Sequence, residues 1–299
     1  MFFTNQVNFS FKVSKRLYFI LVLALFSISS TSIVIRALPS VPAITMAFWR
    51  MIIASAILWI YSVFTSTKPL KKESLSTVAL AGVLLGFHFA CFFWGVRNTS
   101  IANATLLSNT GPVFTVVLTA VFYKIISKEV FFSLIVTLLG VFLIQRSDFY
   151  YNSNTSFGNV VSLLSGFCIA TVYMLAKNLR EKNNNISYGR ALFFYAAITI
   201  GVLCIFTGES LFAFELKDLK WFLFLGVVPS VLGHNSLNYA LKYFSPTAIA
   251  SIPLGEPIIA SLFGWFLFGE AITKNSLEGA PFILVGIYFI IKTSNNNEK

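Results

Sequence analysis

Residues 233–270 read GHNSLNYALKYFSPTAIASIPLGEPIIASLFGWFLFGE. Within them, Ser251 to Phe268 is apolar except for one carboxylate, Glu256, set between Pro253 and Pro257. A charged group inside a span long enough to cross a bilayer costs about 3 kcal/mol on insertion scales. Each proline also lacks an N–H, so the helix carbonyls of Ile249 and Pro253 lose their usual partners. Hydrocarbon offers nothing to re-satisfy those groups, which predicts a helix packed inside a bundle with its interrupted middle lining a polar cavity. Interrupted helices near the bilayer midplane are where transporters place their substrate sites.

The rest of the chain supplies the bundle. Of its 299 residues, 57% are hydrophobic and only 11% charged, whereas a soluble domain would be about 25% charged. About 20 apolar residues cross the hydrocarbon core. Ten such stretches are present: 17–37, 43–64, 75–96, 101–124, 129–146, 158–179, 187–207, 219–241, 246–268 and 275–292. The fold class expected is an all-α polytopic membrane protein. The connectors are too short to hold a soluble catalytic or nucleotide-binding domain. The basic residues ahead of Leu17 resemble the start of a signal peptide, but the length of the first apolar run and the nine that follow favour a membrane helix.

The net charge of +11 would suggest a nucleic-acid partner in a soluble protein. Here its placement reads as topology. With the N-terminus inside, the inner segments carry Lys12, Lys15, Arg16, Lys68, Lys71, Lys72, Lys124, Lys128, Lys177, Arg180, Lys182, Arg190, Lys242, Lys292 and Lys299, against the acids Glu73, Glu129, Glu181 and Glu298. Basic and acidic groups balance in the outer loops, as the positive-inside rule requires. Both termini are therefore expected in the cytoplasm, with the lipid bilayer and not nucleic acid as the macromolecular surroundings. Cys91, Cys168 and Cys204 fall inside apolar spans, too few and too buried for a disulfide framework or a metal site.

The two halves repeat. Trp94-Gly95-Val96-Arg97-Asn98-Thr99-Ser100 answers Tyr239-Ala240-Leu241-Lys242-Tyr243-Phe244-Ser245 at an offset of 145 residues, and the same offset lays Pro112 on Pro257. Gly140 meets Gly286 with one residue of slip. Five spans per half is an odd number, so the second half enters the membrane upside down relative to the first, and such inverted repeats put the site between the halves. The expected division is a cytoplasmic tail (1–16), a first five-helix repeat (17–147), a linker (148–157), a second repeat (158–292) and a second tail (293–299). Pro112 and Glu256 each lie roughly 15 Å into their spans at 1.5 Å per residue, near the middle of a ~30 Å core.

Candidate site residues follow from polar groups at that depth. His234, Asn235 and Asn238 lie on or near one face of the eighth span at i, i+1 and i+4 spacing, as site lining or as interhelical glue. His88 falls one residue out of register with His234 under the repeat. Metal binding by the two histidines is not expected, because no carboxylate or thiolate cluster accompanies them. Arg50 sits too deep in the second span for a loop residue. It either snorkels to the outer interface or faces the cavity, binding an anionic group or pairing with Glu256. Asn109 and Thr110 precede Pro112 near midplane. Trp94 and Tyr239 are repeat partners that could stack on a planar substrate or belong to interfacial belts. Glu256 carries the most weight: a carboxyl that loads and releases a proton as a cavity switches sides is a natural coupling element, the alternative being a structural hydrogen bond to the freed carbonyls. Gly82-x-x-x-Gly86 and Ser162-x-x-x-Gly166 mark close helix approaches.

Taken together, Arg50, Ala102 to Pro112, Ala248 to Pro257, the run Leu254-Gly255-Glu256-Pro257 followed by Phe268-Gly269-Glu270, and Gly286 resemble the EamA-type carriers of the drug/metabolite transporter superfamily. Gly233 to Lys242 resembles a subset of bacterial members. The resemblance covers about 17–292. It departs in the first repeat, where Glu129 lies 17 residues after Pro112 while Glu270 lies 13 after Pro257, an insertion of Lys124-Ile125-Ile126-Ser127. The resemblance implies ten transmembrane helices in two inverted repeats and a secondary carrier working by alternating access. Family members move amino acids, nucleoside-like metabolites including S-adenosylmethionine, or drugs.

The expected function is thus secondary transport of a small polar metabolite across the inner membrane, with a proton as candidate coupling ion. A multidrug or toxic-compound exporter of the same fold is the alternative. An intramembrane enzyme using Glu256 and His234 ranks below both, since no HExxH or Gly-x-Ser-x-Gly pattern occurs. No Gly-x-x-x-x-Gly-Lys-Ser/Thr loop offers ATP drive. No cofactor or metal is expected, and the oligomeric state is left between monomer and homodimer.

Overall fold

The computed structural model describes residues 14–31, 34–35, 38–124, 127–146, 156–269 and 271–296. Among them there is no strand. The helices in order are α1 (Lys15–Ser29), α2 (Ala43–Phe64), α3 (Leu75–Asn98), α4 (Ile101–Ser108), α5 (Gly111–Tyr123), α6 (Lys128–Gln145), α7 (Ser156–Lys182), α8 (Asn185–Thr207), α9 (Leu219–Leu225), a π-helical segment (Gly226–His234), α10 (Asn235–Ala240), α11 (Pro246–Ser251), a 3₁₀ turn (Ile252–Gly255), α12 (Glu256–Phe268) and α13 (Lys274–Asn296). Among the described residues, eight helical stretches are long and apolar enough to cross a membrane: Ala43–Phe64, Lys72–Asn98, Asn103–Tyr123, Lys128–Gln145, Ser156–Lys182, Asn185–Thr207, Pro246–Leu267 and Lys274–Thr293. Of the expected linker (148–157), residues 148–155 lie outside the described residues, as does the acidic position Glu270, while Ser156 and Phe157 already belong to α7.

Three of the spans read as single runs are broken, each at a proline. The stretch 101–124 divides into α4 and α5 just before Pro112, and 246–268 divides around Pro253 and Pro257. The third break went unanticipated: Pro229 sits inside the stretch 219–241 and widens it into nine residues of π-helix. The physical cause is common to all three, because a proline ring displaces the carbonyl four residues back and cannot donate to it.

The 145-residue offset recurs in local structure. Ser100 caps α4 by accepting from the Asn103 N–H at 3.0 Å, and Ser245 caps α11 by accepting from the Ala248 N–H at 3.2 Å. A serine oxygen at this position satisfies one of the donors that a helix N-terminus leaves free.

Packing is chiefly between the halves and not within them. α3 lies along α7 and α8, α2 along α8, α6 along α13, and α1 along the π segment. Small residues permit the closest crossings. Gly82 and Gly86 of α3 leave room for Leu192, Tyr195 and Thr199 of α8. On α6 and α13, Gly140 abuts Gly279, Phe282 and Ile283, while Gly286 abuts Ser133 and Thr137. With the one-residue slip, Gly140 facing Ile283 and Thr137 facing Gly286 are the same contact seen from either half. Outward, the bundle presents an apolar surface: Phe19, Phe64, Phe132, Ile205, Phe206 and Phe266 are all more than two-thirds exposed or close to it. In water such a coat would be an aggregation surface, and against acyl chains it is the required one.

A branched side chain at the α6–α13 crossing must force the two backbones apart. Gly140→Leu is expected to destabilise the bundle by about 1–3 kcal/mol, the usual overpacking cost. The readout is a lower thermal midpoint in detergent. Val285→Leu, on the exposed side of α13, should stay within roughly 0.5 kcal/mol of the parent.

Candidate functional site

Glu256 opens α12, immediately after the 3₁₀ turn that the two prolines impose. In the first turn of a helix, free N–H dipoles favour a negative charge. The carbonyls freed by the prolines are re-satisfied locally and from the other half. Ile252 N–H donates to the Ile249 carbonyl and Glu256 N–H to that of Pro253. The Asn109 side-chain amide then donates twice, to the Pro253 carbonyl at 3.1 Å and to Glu256 Oε2 at 3.2 Å. Asn109 sits at the break between α4 and α5, so the two broken stretches meet at their breaks. The freed carbonyls therefore do not depend on a hydrogen bond from the Glu256 side chain. Glu256 is half-buried.

Arg50 is 1% exposed, so it does not snorkel to an interface. Its Nε donates to Ser230 Oγ at 2.8 Å and its Nη1 to Thr31 Oγ1 at 3.4 Å. The guanidinium carbon stands 4.3 Å from the centroid of the Phe89 ring, a cation–π contact. Ser230 Oγ in turn donates to the Leu225 carbonyl at 2.8 Å, the group that Pro229 deprives of its α-helical partner. Nη2 has no hydrogen-bond partner among the described residues. No ion pair joins Arg50 to Glu256 among the described residues. Each is held by neutral groups: Arg50 by Ser230, Thr31 and the Phe89 ring, and Glu256 by Asn109.

His234, the last residue of the π segment, packs its ring on Phe89 at 5.1 Å and lies 6.4 Å from the His88 ring. His88 Nδ1 bonds to Ser165 Oγ at 2.8 Å and to the Ser165 carbonyl at 3.0 Å. Arg50, Phe89, His88 and His234 thus form one cluster beside the Asn109–Glu256 bridge. The other candidates are not drawn into it. Asn235 points at Gly189 of α8, and the Asn238 carbonyl accepts from Arg180. Thr110 Oγ1 donates to the Leu107 carbonyl and packs on Gly166. Tyr239 pairs with Tyr243, hydroxyl to hydroxyl at 3.3 Å. No ring contact links Trp94 to the cluster among the described residues. Phe89, Ser230 and Thr31 were missed in the sequence. Pro229 was the available signal for Ser230, since a hydroxyl beside a proline in an apolar span is a ready substitute donor.

A bundle of apolar helices, broken at prolines, with Arg50 and His88 buried and Asn109, His234 and Glu256 half-buried inside it, defines a polytopic membrane protein with an interior polar site. The profile of the EamA-like transporter family matches residues 15–146 and again 156–292, and the chain belongs to that family. It is 23% identical over 274 residues to the pseudopaline exporter CntI of Pseudomonas aeruginosa, covering 91% of this chain and 94% of that one. It is 24% identical over 258 residues to the uncharacterized transporter YdfC of Bacillus subtilis, covering 85% and 83%. A solved crystal structure superposes with a TM-score of 0.79 at 12% identity, over 96% of this chain and 100% of that chain. The likeness to the solved structure bears on the fold alone.

Asn109→Ala removes both donations at once. It should cost about 1–3 kcal/mol, the penalty for leaving buried acceptors short of a donor, seen as a lower thermal midpoint. Asn109→Gln should not restore it, because the added methylene moves the amide away from one of its two acceptors.

Proposed function

We propose that the chain is a secondary active transporter that moves a small polar metabolite across the inner membrane by alternating access. In this reading the ten apolar stretches are ten transmembrane helices in two inverted repeats, with both termini cytoplasmic. The observation that carries it is the Asn109 bridge to Glu256 and the Pro253 carbonyl. It joins the two halves through a carboxylate and two helix breaks, the parts that must rearrange if an interior site is to face one side and then the other.

The charges suggest the cargo class. A substrate with an anionic group for Arg50 and a cationic or N–H group for Glu256 would complete the unpaired attraction between them. Amino acids and S-adenosylmethionine-like compounds have that pattern, whereas an apolar drug would leave a buried guanidinium without return. The kinship to a pseudopaline exporter makes outward movement of a polar molecule the direction to test first. Glu256 is the group we assign to proton coupling, being a carboxyl that a competing cation or a change of access can relieve of its proton.

Purified protein in liposomes should catalyse counterflow of at least one labelled zwitterionic metabolite. Glu256→Gln should keep the fold and lose accumulation driven by a pH gradient. Arg50→Ala should reduce transport by roughly a hundredfold, equivalent to about 2.7 kcal/mol. Full-rate transport by both variants, with unchanged dependence on the gradient, would sink the site assignment.

A further inference from the structure

On the outer surface of the bundle, away from Arg50 and Glu256, the end of α2 meets the start of α8. Arg190 of α8 is held there by three residues on one face of α2, spaced i, i+4 and i+7. Ser55 Oγ donates to the Arg190 carbonyl at 2.9 Å, the guanidinium carbon stands 4.0 Å from the Trp59 ring centroid, and Nη1 donates to Ser62 Oγ. Among the described residues no carboxylate pairs with Arg190, and its Nε and Nη2 make no hydrogen bond. Trp59 remains 45% exposed although it carries a cation, and Ile60, Tyr61, Val63 and Phe64 beside it in the chain are exposed as well. Trp59 lies five residues before the end of α2 and Arg190 five after the start of α8, about 8 Å from each helix end at 1.5 Å per residue. That is the depth at which headgroups meet acyl chains, where indole rings and snorkelling guanidinium groups collect.

Two further features extend the spot in opposite directions. Ser187 Oγ donates to the Lys68 carbonyl, which fixes the α2–α3 connector against α8 one turn ahead of Arg190. That connector carries the exposed Lys68, Lys71 and Lys72 against one acid, Glu73. In the other direction, starting one turn beyond Arg190, Phe194, Ile198, Val202 and Ile205 form an exposed apolar row along α8. The row is about 17 Å long, close to half of a ~30 Å hydrocarbon core and so to one acyl chain.

We propose that this surface is a site for one anionic phospholipid, its phosphate on Arg190 beside the connector lysines and one acyl chain along the α8 row. A phosphodiester matches the donor fork of a guanidinium. A headgroup with a cation of its own would bring that charge against Arg190 and Lys68, which selects against zwitterionic lipid. The site needs only the membrane-spanning bundle and is independent of what the protein carries.

The test is native mass spectrometry of delipidated full-length protein in detergent, titrated with dioleoyl phosphatidylglycerol or dioleoyl phosphatidylcholine. The first phosphatidylglycerol should bind about fivefold more tightly than the first phosphatidylcholine, the weight of one basic group at an anionic surface. Arg190→Gln, which keeps an amide donor for Ser62, should erase that preference. Trp59→Leu, a change on the exposed surface, should weaken phosphatidylglycerol by roughly threefold through loss of the cation–π platform. Lys220→Gln should leave the preference intact, since it removes a cation that stands over a different indole, 5.6 Å from the Trp221 ring centroid. Equal affinities in the parent, or a preference that survives both Arg190→Gln and Trp59→Leu, would overturn the site. So would an equal loss in Lys220→Gln, which would reduce the preference to general surface charge. Displacement of the lipid by excess glycerophosphoglycerol, the headgroup without its chains, would overturn the acyl row.

Discussion

The constraint from which the rest of this structure follows is the fate of a main-chain carbonyl that a proline has stripped of its donor inside a membrane. Water is not there to take the donor's place, so the protein must supply one. At Pro253 the substitute includes an amide from the other half of the chain, Asn109, which reaches on to Glu256. At Pro229 it is the neighbouring Ser230 hydroxyl, whose oxygen then receives Arg50. Repairing the backbone and placing the charged groups are one act: the donors recruited to mend broken helices are also the ones that orient Arg50 and Glu256.

The same repairs tie the halves together. Helices of the first half find their main neighbours in the second, with α6 on α13 and α3 on α7 and α8. The crossing of α6 and α13 is held by backbones that approach across glycines and is stiff. The helix breaks, by contrast, are held by single amide and hydroxyl donations.

Much of this was legible in the residues. Most of the apolar runs located their helices to within a few positions, and the register of Pro112 on Pro257 anticipated the matching breaks, while the serine caps at Ser100 and Ser245 came to light only in the structure. Arg50 and Glu256 stood out because charge in an apolar span is costly, although snorkelling and a structural hydrogen bond were the competing explanations. What was not legible depended on rotation about helix axes. His234, Asn235 and Asn238 share a stretch, yet π-helical widening by Pro229 ahead of them turns Asn235 toward Gly189 while His234 meets Phe89. Arg180 was hidden for another reason. A cation near the end of a span is ordinarily solvated, and only the packing of the α7–α8 turn shows that this one is enclosed.

The interleaved packing also bears on how the chain is made. A ribosome delivers α2, α3 and α6 to the bilayer well before α7, α8 and α13 exist to cover them. Until the second half arrives, the small-residue faces of the first have only lipid to rest against, and Asn109 has no Pro253 carbonyl to serve. The contacts that complete this bundle therefore become available only as the second half is made.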